Sequence, residues 1–303
     1  MNSNTFWQFE PGTSGVLSPG RWLWLRAMLW ALLLSSGTLV VFLATQFLSP
    51  WLHLPSNSNY AIVCFFPLAA FALYAFSIRK GERRVAIEVL PSLTMLGDLI
   101  TGALFGFCIL CAMLGLLWVV GLYHVAWNRW QHIFDAFLFD SYLSGMLEEL
   151  MFRAILLRIL ARAFGPRWGL ALSSILFGAA HLTHGTWLAA LAITINAGLT
   201  MGLLYMVTGR VWMSVGLHIG WDFTETSILG VNNTDGLLLS TPMAGRPDLL
   251  TGGSFGPDAS VLAFVIGILA VLAIVYGRAK GRFKIQTTMA SANVAEGEIA
   301  HEL

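Results

Sequence analysis

The chain has 303 residues, of which 57% are hydrophobic and only 11% charged, with a formal net charge of +1 and a mean hydropathy of +0.73. A soluble domain carries about 25% charged residues, so the composition excludes a soluble globule, and no nucleic-acid partner is expected. It predicts an all-α, polytopic membrane helix bundle.

Apolar runs near 20 residues predict about eight transmembrane helices, near 24-48, 60-78, 98-122, 138-162, 168-184, 187-208, 211-229 and 259-277. A cytoplasmic leader, 1-23, precedes them. It contains Glu10, Pro11 and Pro19, unlike a short basic signal start, and no A-x-A-like site follows span one, so an uncleaved anchor is expected. The transmembrane domain is assigned to 24-284. The polar, acidic tail 285-303, with Glu296, Glu298 and Glu302, is expected to be cytoplasmic and disordered.

Basic residues set the expected orientation, because Lys and Arg gather in cytoplasmic loops. Arg21 and Arg26 precede span one, and Arg79, Lys80, Arg83 and Arg84 follow span two. Arg158, Arg162 and Arg167 surround the link between spans four and five, Arg210 sits between six and seven, and Arg278, Lys280, Arg282 and Lys284 follow span eight. With eight spans all of these fall on one side, which puts both termini in the cytoplasm.

On the other side lie the turn Pro50 to Asn59 and an irregular loop, Gly230 to Asp258, rich in Gly, Pro, Asn and Asp. The segment Trp127 to Leu138 reads equally as a surface-lying stretch or as a plain connection. Gly102 with Gly106, and Gly198 with Gly202, have the small-xxx-small spacing of close helix packing inside a bundle. Cys64, Cys108 and Cys111 fall inside apolar stretches and are expected to pack as buried small hydrophobes. The CxxC spacing of Cys108 and Cys111 lacks the further thiols or histidines of a zinc site.

Charges within an apolar helix cost roughly 2.5–3.5 kcal/mol each on insertion scales, so Glu148, Glu149 and Arg153 in span four require pairing, water or a function. Glu149 and Arg153 are four apart, share a helix face and are expected to form an ion pair that braces the fold. Glu148 is rotated by about 100° and is left to face something else. At a rise of about 1.5 Å per residue, Glu148 lies roughly 21 Å, His181 about 20 Å, Asp222 about 17 Å and His218 about 10 Å from the cytoplasmic helix ends. Spans four, five and seven can therefore bring two carboxylates and two imidazoles into one slab.

Such a cluster suits water activation. A glutamate in apolar surroundings works as a general base or acid. Histidines bind a divalent metal or donate to an oxyanion. His184 is expected to hydrogen-bond a backbone carbonyl, Glu225 to be solvated, and Asn196 to tie span six to span five.

These residues resemble a known set. Glu148-Glu149-Leu-Met-Phe-Arg153 matches EExxxR, Phe177-Gly-Ala-Ala-His181 matches FxxxH, and His218-Ile-Gly-Trp-Asp222 matches a histidine followed four residues later by Asn or Asp. Their order, each on a separate apolar helix, resembles the CPBP family of intramembrane metalloproteases, which includes type II CAAX prenyl endopeptidases and proteins of bacteriocin processing and immunity.

The resemblance covers 138-230, the expected protease-like core. It implies that Glu148 activates the hydrolytic water, that His181 helps bind the water or a metal, and that His218 and Asp222 orient the water or stabilise the oxyanion. It further implies support from Glu149, Arg153 and Phe177, and a divalent metal, zinc, on Glu148, His181 and His218. Because an ionised Asp222 donates no hydrogen bond, a metal or a protonated Asp222 fits this chain better than an oxyanion donor there. The implied partners are membrane lipid and a membrane-associated or prenylated peptide. The implied location is a bacterial cytoplasmic membrane, the bacterial source resting on a compact chain without an organelle-targeting signal.

Two other classes compete. A noncatalytic membrane scaffold or bacteriocin-immunity protein would keep the fold without needing Glu148, His181 and His218 together. A transporter would line a path with the same charges, but these are confined to spans four to seven and no inverted repeat is visible. No HExxH occurs in the chain.

Overall fold

The computed structural model describes residues 7–52, 56–183, 185–231 and 234–283. His184 and the tail 285-303 lie outside the described residues. Among the described residues the structure is nearly all-α. Helix α1 is Leu23–Trp51, α2 is Ser56–Ser77, continued by a π-helical turn Ile78–Glu82, and α3 is Met95–Val119. Helix α4 runs unbroken over 133–164, α5 is Pro166–Ala180, α6 is Trp187–Thr208, α7 covers 212–228 and α8 is Val261–Ala279.

Five of these are long and apolar enough to cross a membrane: Leu23–Thr45, Ser58–Glu82, Met95–Val119, Trp187–Thr208 and Val261–Ala279. The outer faces of α1, α3 and α8 expose Leu32, Leu33, Val40, Leu104, Leu269 and Leu272, as hydrocarbon contact favours. In α6, 78% of the most apolar stretch is buried inside the bundle, against 22–33% in the other four, so α6 is the central helix. The other three expected spans exist as helices, but α4 is charged and α5 and α7 are short. These three carry the motif residues.

Glycines set how closely α3 and α7 approach. A Cβ on Gly102 would stand 2.2 Å from the Met213 carbonyl oxygen, and one on Gly106 would stand 2.6 Å from that of Leu217. The partner face answers in kind, because Cβ atoms on Gly216 and Gly220 would meet the carbonyl oxygens of Leu99 and Ala103 at 2.2 and 2.4 Å. Close backbone contact of this kind drives helix association where hydrocarbon removes the hydrophobic incentive. Gly198 and Gly202 likewise pack on α5, against Ser174 and Leu170.

One end of the bundle gathers the basic residues and the leader. Arg158, fully buried, donates to Glu82 at 2.7 and 2.8 Å and to the Pro11 carbonyl at 2.9 Å. Arg84 bridges Glu82 and Glu88, Arg210 donates to the Ile87 carbonyl at 3.0 Å, and Arg162 to that of Leu17 at 3.0 Å. The Gln8 amide reaches the Met206 carbonyl. Residues 7–18 therefore dock under the helices. Burial opposes ionisation of Glu88, but Arg84 and Arg158 outweigh it and hold the carboxyl below its ordinary range.

The opposite end departs from an irregular loop. Strands β1, Tyr123–Trp127, and β2, Leu238–Pro242, form an antiparallel pair with Tyr123 opposite Pro242 and Trp127 opposite Leu238. The Tyr123 hydroxyl donates to the Thr251 carbonyl at 2.9 Å, tying this strand pair to the segment before α8. The thiols also differ from expectation: Cys64 and Cys108 are exposed on outward faces rather than buried, and Cys111 is half-buried.

Filling the α3–α7 contact should be costly. Gly216→Val and Gly102→Val each force the helices apart and should destabilise the protein by about 1–3 kcal/mol or more, the scale of overpacking. Gly115→Ala on the same α3, with nothing within 4 Å of its added Cβ, should leave the melting temperature in detergent unchanged or higher.

Candidate active site

Glu149 is the centre of the buried charge. Its side chain is 0% exposed and its Oε1 accepts twice, from Arg153 Nη1 at 2.7 Å and from His218 Nδ1 at 2.9 Å. The first contact is the expected pair across one turn of α4, and the second reaches across to α7. Arg153 is held further by the Ala197 carbonyl of α6 at 3.3 Å, and its guanidinium stacks 4.4 Å from the Phe177 ring centroid on α5. One ion pair thus touches four helices. A buried pair held by further hydrogen bonds and a ring face is the form in which ions survive burial.

That bond sets the direction of His218. An ionised Glu149 only accepts, so Nδ1 carries a proton and the ring turns Nε2 away. Nε2 stands 4.0 Å from Glu148 Oε2 and 3.6 Å from Asp222 Oδ2. Ser144 on α4 donates to the same Asp222 oxygen at 2.6 Å, a partner that sequence inspection did not single out. Gly145 lets α4 approach α7 here, since its Cβ would stand 3.2 Å from the Ile219 amide.

His181 is placed differently. Helix α5 stops at Ala180, and His181 lies at its C-terminal cap rather than inside a span. Its Nδ1 is 2.9 Å from the Phe177 carbonyl oxygen. A carbonyl only accepts, so Nδ1 carries a proton, and in the neutral form of the ring the lone pair sits on Nε2. Phe177 joins the two imidazoles, with ring centroids 5.0 Å from His181 and 5.9 Å from His218.

His181, His218 and Asp222 line one cavity of about 470 Å³, with Glu148 beside it. Two expectations change here. Glu225 is half-buried and turned into this cavity rather than solvated, because a π-helical turn, Phe223–Ile228, redirects the end of α7. Asn196 donates to the Asp258 carbonyl at 2.9 Å, so it ties α6 to the start of α8 rather than to span five. Similar π turns cover Leu150–Leu157 in α4 and Thr194–Leu199 in α6, a device common at functional sites. Among the described residues no group of three or more His, Cys, Asp or Glu is arranged to hold a metal ion.

The arrangement defines a membrane-protein site of carboxylates and imidazoles around a cavity. In comparison with known proteins, residues 130–224 match the family model of Rce1-like type II CAAX prenyl endopeptidases. Over this segment the chain is similar to that family's domain, and the segment contains every motif residue. No curated protein and no solved structure matched the chain.

Removing Arg153 would strand Glu149 with a buried charge. Arg153→Ala should cost about 3–5 kcal/mol in thermal or denaturant unfolding, the range for breaking a buried pair from one side. Replacing both partners by apolar residues of similar size should cost less than either single loss.

Proposed function

We propose that this protein is an intramembrane endopeptidase that hydrolyses a peptide bond in a membrane-associated, CAAX-like substrate with water activated by Glu148. The observation that carries the reading is the orientation of His218, whose Nε2 is turned by Glu149 toward Glu148 and Asp222.

In this reading water enters between Glu148 and the two imidazoles. The His181 Nε2 lone pair accepts one water hydrogen while the Glu148 carboxylate takes the other as the oxygen attacks the scissile carbonyl carbon. His218, flanked by Glu148, Glu149 and Asp222, is suited to the imidazolium form, whose Nε2–H faces the developing oxyanion. Asp222, positioned by the Ser144 hydroxyl, then stabilises the positive charge of the imidazolium and needs no proton of its own. As the C–N bond breaks, the proton on Glu148 passes to the leaving amine, leaving a carboxyl product and restoring the base.

A bound divalent ion would supply charge for the water and the carbonyl oxygen. The described donors are not grouped to hold one, so no step is routed through it. We also place the basic end of the bundle, with both termini, on the cytoplasmic side, and assign the substrate as a lipidated or otherwise membrane-held peptide. A bacterial cytoplasmic membrane is the proposed location.

Glu148→Gln keeps size and removes the base. It should lower kcat/KM on farnesylated C-terminal peptides by about 100-fold or more, the scale of general-base catalysis, with unfolding unchanged. A chelator series alongside reports whether a divalent ion is needed. Turnover by Glu148→Gln at the wild-type rate would remove the proposed base, and no cleavage of any peptide by the wild type would favour a noncatalytic scaffold.

A further inference from the structure

Beyond the motif residues, the same cavity holds a second acidic pair. Its lining includes the carboxylates of Asp140, Asp222, Glu225 and Asp258, and no lysine or arginine. Glu225 and Asp258 face each other across Gly256. A Cβ there would stand 3.0 Å from Glu225 Oε1 and 3.4 Å from Asp258 Oδ1. Gly256 also has φ +132°, a conformation that L side chains rarely adopt, so glycine keeps the gap between the two oxygens open.

Asp258 adds an independent sign of a missing partner. The residue is 6% exposed, lines the cavity, and its Oδ1 has no hydrogen-bond partner. A buried carboxylate oxygen without a donor is costly unless a ligand supplies one. Burial and the Asp222 charge hold the Asp258 carboxyl above its ordinary range, against the lowering effect of the Asp258 and Ala259 backbone amides.

Resting on the protease reading above, we propose that Glu225 and Asp258 form a cation subsite of the cavity that takes a lysine side chain of the substrate. A primary ammonium offers three donors from one point and can serve both carboxylates, while its alkyl stem suits the apolar Ile193 and Val231 of the same lining. Asp258 lies outside the segment matched by the family model, and so does Glu225. The subsite is therefore built from the end of α7 and the segment before α8, and it selects a basic residue near the scissile bond.

The test uses the full-length protein in detergent and CAAX-like peptides that carry either lysine or norleucine at each position flanking the cut. Lysine at one position should raise kcat/KM by about tenfold or more, the scale of a charge-assisted hydrogen bond. Asp258→Asn, and independently Glu225→Gln, should bring that lysine-to-norleucine ratio toward one. A ratio near one at every position in the wild type, or one that survives both substitutions, would overturn the subsite and leave the protease reading standing.

If no peptide is cut, the protease reading fails, and equilibrium binding of the same labelled peptides decides the subsite alone. Tighter lysine-peptide binding that is lost in Asp258→Asn supports it. Equal binding of the lysine and norleucine peptides overturns it.

Discussion

One carboxylate oxygen, Oε1 of Glu149, organises the centre of this protein. It receives a guanidinium from its own helix and an imidazole from α7. In a bundle bathed by hydrocarbon, such a charge persists only with excellent geometry, because burial of ions otherwise costs several kcal/mol each. The two donors and the Phe177 ring beneath Arg153 supply that geometry. The fold and the candidate site therefore share an atom: the oxygen that pairs with Arg153 also accepts from His218 and so aims its ring at Glu148 and Asp222. Unlike Glu149, Glu148 keeps a side chain that is 27% exposed, which leaves it accessible to water.

Close helix contact makes this convergence possible. The glycine faces of α3 and α7 bring backbone against backbone on the side of α7 away from the cavity, and Gly145 does the same between α4 and α7. At the opposite extreme of the bundle, the Arg158–Glu82 contact and the docked residues 7–18 close the end of α4. Helix α4 is thus pinned at its middle by Arg153 and at its end by Arg158. Both arginines are among the largest fully buried side chains of the protein.

Much of the site was legible in the sequence because buried charge is rare in apolar helices. The Glu149–Arg153 pair followed from a spacing of four, and the freedom of Glu148 from its rotation on the helix. The small-residue spacing of Gly102 and Gly106 announced close packing, but the answering Gly216 and Gly220 lay beside and inside a motif read for His218 and Asp222. Glu225 was misjudged because its distance along an ideal helix pointed to solvent, whereas the π turn at Phe223–Ile228 redirects it. Long-range pairings left no local signal: Tyr123–Trp127 finds Leu238–Pro242 far along the chain, and Asp258 joins the cavity from a loop that reads as irregular. The leader was likewise legible as polar and Pro-containing, but not as docked, since its partners are carbonyls and arginines distant in sequence.

The coupling of Arg153 to His218 through Glu149 is the central claim, and a double-mutant cycle in unfolding free energy measures it directly. Arg153→Ala, His218→Ala and the double variant would be unfolded in one detergent at one pH. Shared action on one oxygen predicts strong non-additivity, with a coupling of about 1–3 kcal/mol as found for residues in one buried network. Additive losses, within about 0.5 kcal/mol, would mean that the two side chains act independently and that Glu149 does not join the fold to the site.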